Sequence, residues 1–252
     1  MTNTPFQRSA AIYDTVHAGK DYAAETAFIW KYLRESMFRS RIIDWGCGTG
    51  EFTKEFAKLG FDVIGVDPSD EMIQVAKRKG VKAYLGSTYA PPPEIRGEHE
   101  NATCLFGAFS YIAADAPFRQ EEARLKQALQ TIRGHLIRGG RFVFDVINYG
   151  AASSNLREYT EDNFGDVHRW MKKTFDPHNG IVSHEIKYTY QGQAWMENHR
   201  MKAFTVPEIS YALRDCGFSV QLVCQNQWDE DVAVLPRVHL SDYYFTVVAE
   251  AN

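Results

Sequence analysis

Three glycines, Gly46, Gly48 and Gly50, alternate through the stretch RIIDWGCGTG that begins at Arg41. Glycine lets the chain turn tightly and lets a ligand come close where a Cβ would stand in the way. Asp67 follows the apolar run FDVIGV, 21 positions beyond Gly46. A carboxylate at that separation, at the end of the next strand, accepts hydrogen bonds from the two hydroxyls of a ribose. A dinucleotide turn needs a further glycine three positions after its second, where a helix N-terminus meets a pyrophosphate. Here that position is Glu51, and its charge repels a pyrophosphate. Turn and carboxylate together predict a ribose-bearing ligand without a pyrophosphate, which argues against a nicotinamide oxidoreductase.

Such a site needs strands that deliver both groups to one edge. The pattern predicts a helix over 22–38, with Ala23, Ala27, Trp30 and Leu33 recurring at helical spacing and Trp30 in the core. A short strand at 41–44 leads into the turn, and a helix over 51–59 stops at Gly60. A strand at 61–66, a helix from Asp70 to about Lys79, and strands at 82–85 and 102–106 follow. A helix over 121–136 and a strand at 141–146 complete a regular α/β alternation, which implies a parallel sheet. After Asn148 the rhythm changes. Strands at 168–175, 181–190 and 194–204 alternate large and polar residues, with a turn at Asp176–Gly180, and read as an antiparallel patch. Thr205 and Glu208 form a capping-box signature for a helix ending near Cys216, before two last strands at 218–224 and 243–249.

The residues DWGCGTG…VIGVDPSDEMIQVAK resemble the S-adenosylmethionine site of class I methyltransferases, over roughly 41–147 plus the C-terminal strands. The resemblance implies an α/β, Rossmann-like, seven-stranded, mostly parallel sheet with helices on both faces and an antiparallel last strand. It divides the chain into an N-terminal helical lid (1–40), a cofactor-binding core (41–147), an antiparallel β substrate lid (148–206) and a final helix and strands (207–252). It implies S-adenosyl-L-methionine as cofactor. Asp44, Gly46, Cys47, Gly48 and Gly50 would lie against its methionine and ribose parts, Asp67 and Pro68 at the ribose, Met72 near the adenine, and Phe106 at the fourth-strand exit. Many members carry an aspartate after the third strand for the adenine amino group. This chain has LGSTYA there, so that contact would fall to Ser87, Thr88 or a backbone group.

The N-terminal AIYDTVHAGKDYAAE, the strand exit LFGAFSYI and the late antiparallel patch are similar to small-molecule N-methyltransferases, closest to the amino-sugar enzymes of antibiotic biosynthesis. The resemblance implies in-line methyl transfer to an amine. Tyr13 and Tyr111 would face that amine, Tyr22 would sit in a lid at the methionine end, and His199 and Arg200 would belong to the substrate lid. Asn148 and Tyr149, straight after the fifth strand, fall on the ligand rim of an α/β sheet. Tyr111 stands where some members have histidine, so no histidine base is expected at that position. His17 and Lys20 read as surface residues.

Net charge is −4 over 252 residues, which promises no electropositive groove for nucleic acid. The Asn/Asp-Pro-Pro-aromatic motif of base-amino methylation is also missing after strand four. No metal site is expected: Asp115 and Asp145 stand alone, and the four cysteines show no CxxC spacing. The longest apolar runs fall short of a membrane span, and the N-terminus lacks the order of a signal peptide. Together with the scattered cysteines, these features predict a reducing, cytoplasmic setting. Trp170 and Trp195 are expected to be exposed, to close over substrate or to bury in a partner chain; related enzymes are often dimers. A small-molecule O-methyltransferase shares every feature except the acceptor, and a binding module without turnover is the remaining alternative.

Overall fold

The computed structural model describes residues 5–34, 40–112, 114, 120–154, 158–225 and 243–252. After a short 3-10 turn at Ser9–Ala11 come α1 (Tyr13–Val16) and α2 (Tyr22–Trp30). The core then alternates β1 (Arg41–Trp45), α3 (Glu51–Lys58), β2 (Asp62–Asp67), α4 (Asp70–Arg78), β3 (Ala83–Leu85) and β4 (His99–Cys104). A 3-10 turn at Ala108–Tyr111 precedes α5 (Glu121–Gly134), β5 (Leu136–Asn148) and α6 (Tyr149–Ser154). Next are β6 (Tyr159–Phe164), β7 (Val167–Asp176), β8 (Ile181–Tyr190) and β9 (Gln193–Phe204). The chain closes with α7 (Val206–Asp215), β10 (Phe218–Gln225) and β11 (Tyr244–Ala251).

The core sheet runs β3-β2-β1-β4-β5-β11-β10, with the first five strands parallel and β11 antiparallel to both neighbours. This is the seven-stranded α/β arrangement expected from the sequence. β1 is covered on both faces, so it is apolar almost throughout: Ile42, Ile43 and Trp45 are buried. Thr205 caps α7 with the predicted box, accepting from Glu208 N while the Glu208 carboxylate accepts from Thr205 N.

Strands β6 to β9 form a four-stranded antiparallel meander. It joins the core where β9 runs parallel to the end of β5, pairing Ala203 with Ile147 and Phe204 with Asn148. One face of this meander buries Met171, Ile186 and Tyr188 against Ile12 and Val16 of the N-terminal segment. The segment is thus held between the meander and the carboxyl edge of the core sheet.

Several expectations need correction. The helix predicted over 22–38 stops at Trp30, and 35–38 lie outside the described residues. Trp30 is 43% exposed rather than core. The buried face carries Glu25, Thr26 and Ile29, with Leu33 beyond, because Ile29 and Leu33 pack on Phe52 and Phe56. Glu25 tolerates burial because Lys20 pairs with it. Trp170 and Trp195 are half-buried within the chain, on Tyr159 and Tyr188 respectively. The edge strand β6 and the short α6 were not foreseen. β6 is only half covered on alternate residues, so its apolar signal is weak.

Candidate active site

The turn after β1 closes on β2, with Gly46 N and Cys47 N both donating to Val66 O. All three glycines have positive φ, +70° at Gly46, +55° at Gly48 and +83° at Gly50, where other residues are strained. Their surroundings separate their tasks. A Cβ on Gly46 would lie 2.6 Å from the Ala108 Cβ, and one on Gly50 2.9 Å from Val81 Cγ2. A Cβ on Gly48 would meet nothing within 4 Å, because Gly48 borders a cavity. Gly46 and Gly50 therefore let the turn pack on its own protein, and Gly48 leaves room for a guest.

That cavity measures about 280 Å³ and is bordered by Gly46, Cys47, Gly48, Asp67, Pro68, Met72 and Phe106. Asp67 is buried, and its two oxygens accept from Gly48 N and Ser69 N, both at 2.9 Å. Burial pushes its carboxyl up to about 6, against the pull of those two N–H groups. Each oxygen keeps a lone pair for a further donor, as a vicinal diol requires. Asp44 has a different task. It does not border the cavity; it accepts from the Thr53 and Thr103 hydroxyls at 2.6 and 2.9 Å beneath the turn. Burial pushes it, too, up to about 6.

Ser87 and Thr88 are not brought to the cavity. Ser87 Oγ accepts from Tyr89 N and Ala90 N in a tight turn, and Thr88 is buried. Glu51 opens α3 on the cavity wall with its carboxylate 2.7 Å from Lys79 Nζ. A carboxylate with lone pairs to spare, an open glycine and an acidic helix start fit a nucleoside sulfonium and oppose a pyrophosphate.

Aromatic residues make the rest of the wall. Tyr13 begins α1, Tyr22 begins α2 with its ring edge-on to Phe52, and Phe6 stands T-shaped to both Tyr13 and Tyr111. α1 is fastened to the glycine turn, since Thr49 Oγ1 donates to Asp14 Oδ1 at 2.6 Å and Lys79 also pairs with Asp14. Burial raises the phenols of Tyr13 and Tyr111 well above their ordinary 10.0, so both stay neutral donors and acceptors. His17 and Lys20 are not surface residues. His17 packs on Tyr13 and Phe106 and is pushed down to about 4, chiefly by burial. The Lys20 ammonium lies 4.2 Å over the Phe106 ring.

Behind Tyr111 lies a chain of polar groups. Tyr111 ends the turn after β4, and its hydroxyl is 2.8 Å from His199 Nδ1. His199 Nε2 is 3.3 Å from Glu197 Oε2. Glu197 also accepts from Ser9 Oγ at 2.7 Å, Ser9 N at 3.0 Å and Phe6 N at 3.3 Å. Burial alone would raise the Glu197 carboxyl, but the bonds from His199 and Ser9 outweigh it and hold it below the usual range. Position 111 itself holds no histidine, but His199 stands one hydrogen bond behind it. Glu197 and His199 share the inward face of β9, two residues apart, whereas Arg200 is exposed on the other face. Asn148 and Tyr149 also miss the cavity. Asn148 Oδ1 accepts from Gly150 N, and Tyr149 donates to Pro177 O.

Asp145 accepts from the backbone N–H groups of Phe106 and Gly107, holding the strand exit. Among the described residues no cluster of His, Cys, Asp or Glu could hold a metal ion; Asp115 lies outside them. No described helix is long and apolar enough to cross a membrane.

The sequence family described as a methyltransferase domain matches residues 15–223 of this chain. The chain belongs to that methyltransferase family. Its methyl donor is S-adenosyl-L-methionine. The methyltransferase is similar to dTDP-3-amino-3,6-dideoxy-alpha-D-glucopyranose N,N-dimethyltransferase of Streptomyces fradiae, 25% identical over 237 residues and 85% of each chain. Its fold matches an S-adenosylmethionine-dependent methyltransferase from Clostridium acetobutylicum, with a TM-score of 0.78 and 20% identity over 97% of this chain and 98% of the other. It also matches CalS10, an amino pentose methyltransferase from Micromonospora echinaspora, with a TM-score of 0.71 and 20% identity across the full length of both.

Proposed function

We propose that this methyltransferase alkylates the nitrogen of a small amine, of the amino-sugar class. The observation that carries the reading is the shared cavity. Tyr13 and Tyr111 border the same space of about 280 Å³ as Gly48 and Asp67, under a segment clamped by the meander. A small acceptor fits such a space. The similarity to the Streptomyces fradiae dimethyltransferase over most of both chains supports an amino sugar.

Bound S-adenosylmethionine supplies an electrophilic methyl on a sulfonium. The chain supplies orientation and a dry site. Asp67 takes the ribose hydroxyls, Gly48 yields room beside them, and Met72 and Pro68 line the wall next to Asp67. Tyr22 and Phe106 give the cavity an apolar, aromatic wall. An apolar surround disfavours an ammonium and so favours the amine lone pair, while the neutral phenols of Tyr13 and Tyr111 aim it. The described parts of residues 1–40 and 148–206 act as lids on this space. The four free cysteines fit a reducing, cytoplasmic setting.

The test is a methyl-transfer screen read by mass, over dTDP-linked amino sugars, amino acids and polyamines, each beside its hydroxyl analogue. Methylated amines are expected. Methylation of the hydroxyl analogues alone would replace this reading with an O-methyltransferase.

A further inference from the structure

We infer that Tyr111, His199 and Glu197 form a proton relay that takes the proton from the incoming amine through the Tyr111 hydroxyl. This rests on the amine reading above. Tyr111 borders the cavity, and its hydroxyl is 2.8 Å from His199 Nδ1. Glu197 accepts three hydrogen bonds from Ser9 and Phe6, so it is held as an anion. An anion opposite His199 Nε2 at 3.3 Å places the imidazole proton on Nε2. Nδ1 is then an acceptor, and Tyr111 must donate to it. The free lone pair of the Tyr111 oxygen is left to accept an N–H from the cavity.

The balance of the step follows. An ammonium gives its proton to the Tyr111 oxygen while the phenol proton passes to His199 Nδ1. Tyr111 ends neutral, as its burial demands, and the new imidazolium faces the Glu197 carboxylate. The freed nitrogen lone pair forms the N–C bond as the C–S bond breaks, and the C–S electron pair stays on sulfur. The proton returns by the same route when the cavity opens to water. Other groups facing His199 do not compete for it. His184, its register partner on β8, is pushed down to about 3 by burial first and then by Lys173. Phe6 covers the imidazole edge-on at 4.7 Å. Tyr13, Tyr188, Tyr243 and Tyr244 around Tyr111 all have raised phenols.

Two measurements test the relay. The first needs no acceptor: nitrogen NMR of histidine-labelled protein with S-adenosylhomocysteine bound. Expected is His199 with Nε2 protonated and Nδ1 bare; a proton on Nδ1 would overturn the proposal, since Tyr111 would then donate into the cavity. The second compares kcat/KM against pH for wild type and His199→Gln, using dTDP-3-amino-3,6-dideoxyglucose and the amines found in the screen. The variant should lose about 100-fold near neutral pH. Its rate should keep rising with pH toward the pKa of the free amine, where wild type has levelled. A merely structural role would lower the curve without changing its shape, and that result sinks the relay alone. If wild type methylates no amine, the amine reading fails and the relay with it. Should His199→Gln not fold, Tyr111→Phe keeps the ring packing and must show the same altered profile.

Discussion

Replacing Gly48 and Gly46 separately by alanine should give two different defects, although the residues are two apart in one turn. Both have positive φ, and an alanine there costs about 1–2 kcal/mol. Loss of glycine's freedom in the unfolded chain returns roughly 0.4–1 kcal/mol. For Gly48→Ala nothing else is added, because its new Cβ meets no atom within 4 Å. The net loss is roughly 1 kcal/mol, about 2–4 °C in melting temperature for a chain this size. For Gly46→Ala the new Cβ would lie 2.6 Å from the Ala108 Cβ, and relieving that overlap costs a further ~1–3 kcal/mol. The order reverses for S-adenosylmethionine. The Gly48 methyl occupies the cavity side of the turn and should weaken binding at least about tenfold, or ~1.4 kcal/mol, while the Gly48 N–H to Asp67 is kept. Differential scanning calorimetry and isothermal titration on both variants read the two quantities. Wild-type affinity in Gly48→Ala, or equal destabilisation by the two changes, would refute this division of labour.

Asp67 ionises at about 6 in the folded chain, so S-adenosylmethionine affinity should drop about tenfold per pH unit below that value; a flat affinity down to about pH 5 would show the ribose is not held there. The same shift has the opposite sign for the free protein. Asp44 and Asp67 are both raised from 3.8 to about 6, so their stabilising effect is complete below 3.8 and is lost as pH rises through about 6. As far as these two groups go, the melting temperature of the unliganded protein should climb between about pH 7 and pH 5, and scans at both values check it. Tyr13→Phe should lower turnover by more than it lowers cofactor affinity, and unchanged turnover would make Tyr13 a packing residue only. Thr205→Ala removes the α7 cap and should cost about 1 kcal/mol in urea unfolding, with methyl transfer unaffected.

The sequence exposes those parts of the site that are local and backbone-driven. Gly46, Gly48, Gly50 and Asp67 act through strand ends and turn geometry, which spacing encodes directly. Asp44 and Ser87 lie in the same motifs, yet their side chains are taken up by Thr53 and Thr103 and by the turn at Tyr89 and Ala90, while Thr88 is buried away from the cavity. A motif places a residue near an edge; it does not say which neighbour has already claimed its lone pairs. Lys20 misled for a related reason. Its charge reads as solvated until Glu25, five positions on, is seen buried beside it.

The largest omission is Glu197. The run ENHR looks like an exposed stretch of strand, and polarity alone gives no reason to turn any of it inward. The phase of β9 does. Met201 and Ala203 are buried apolar residues two apart, and stepping back by twos from them reaches His199 and then Glu197. Two ionisable residues in the inward phase of a strand are costly unless something answers them. Here Tyr111 comes from the turn after β4, and Ser9 and Phe6 come from the N-terminal segment. None of these partners is close in sequence, since Ser9 and Glu197 are 188 positions apart. The phase predicts that the pair is buried, and only the fold identifies its partners. Glu197 therefore ties the N-terminal segment to the same hydrogen-bonded chain that ends at Tyr111. Glu197→Gln, which keeps an acceptor for Ser9 but removes the charge, should leave the segment in place and still impair the amine step. If instead it frees residues 5–12 to proteolysis while the pH profile stays that of wild type, Glu197 is a fastener and not part of the relay.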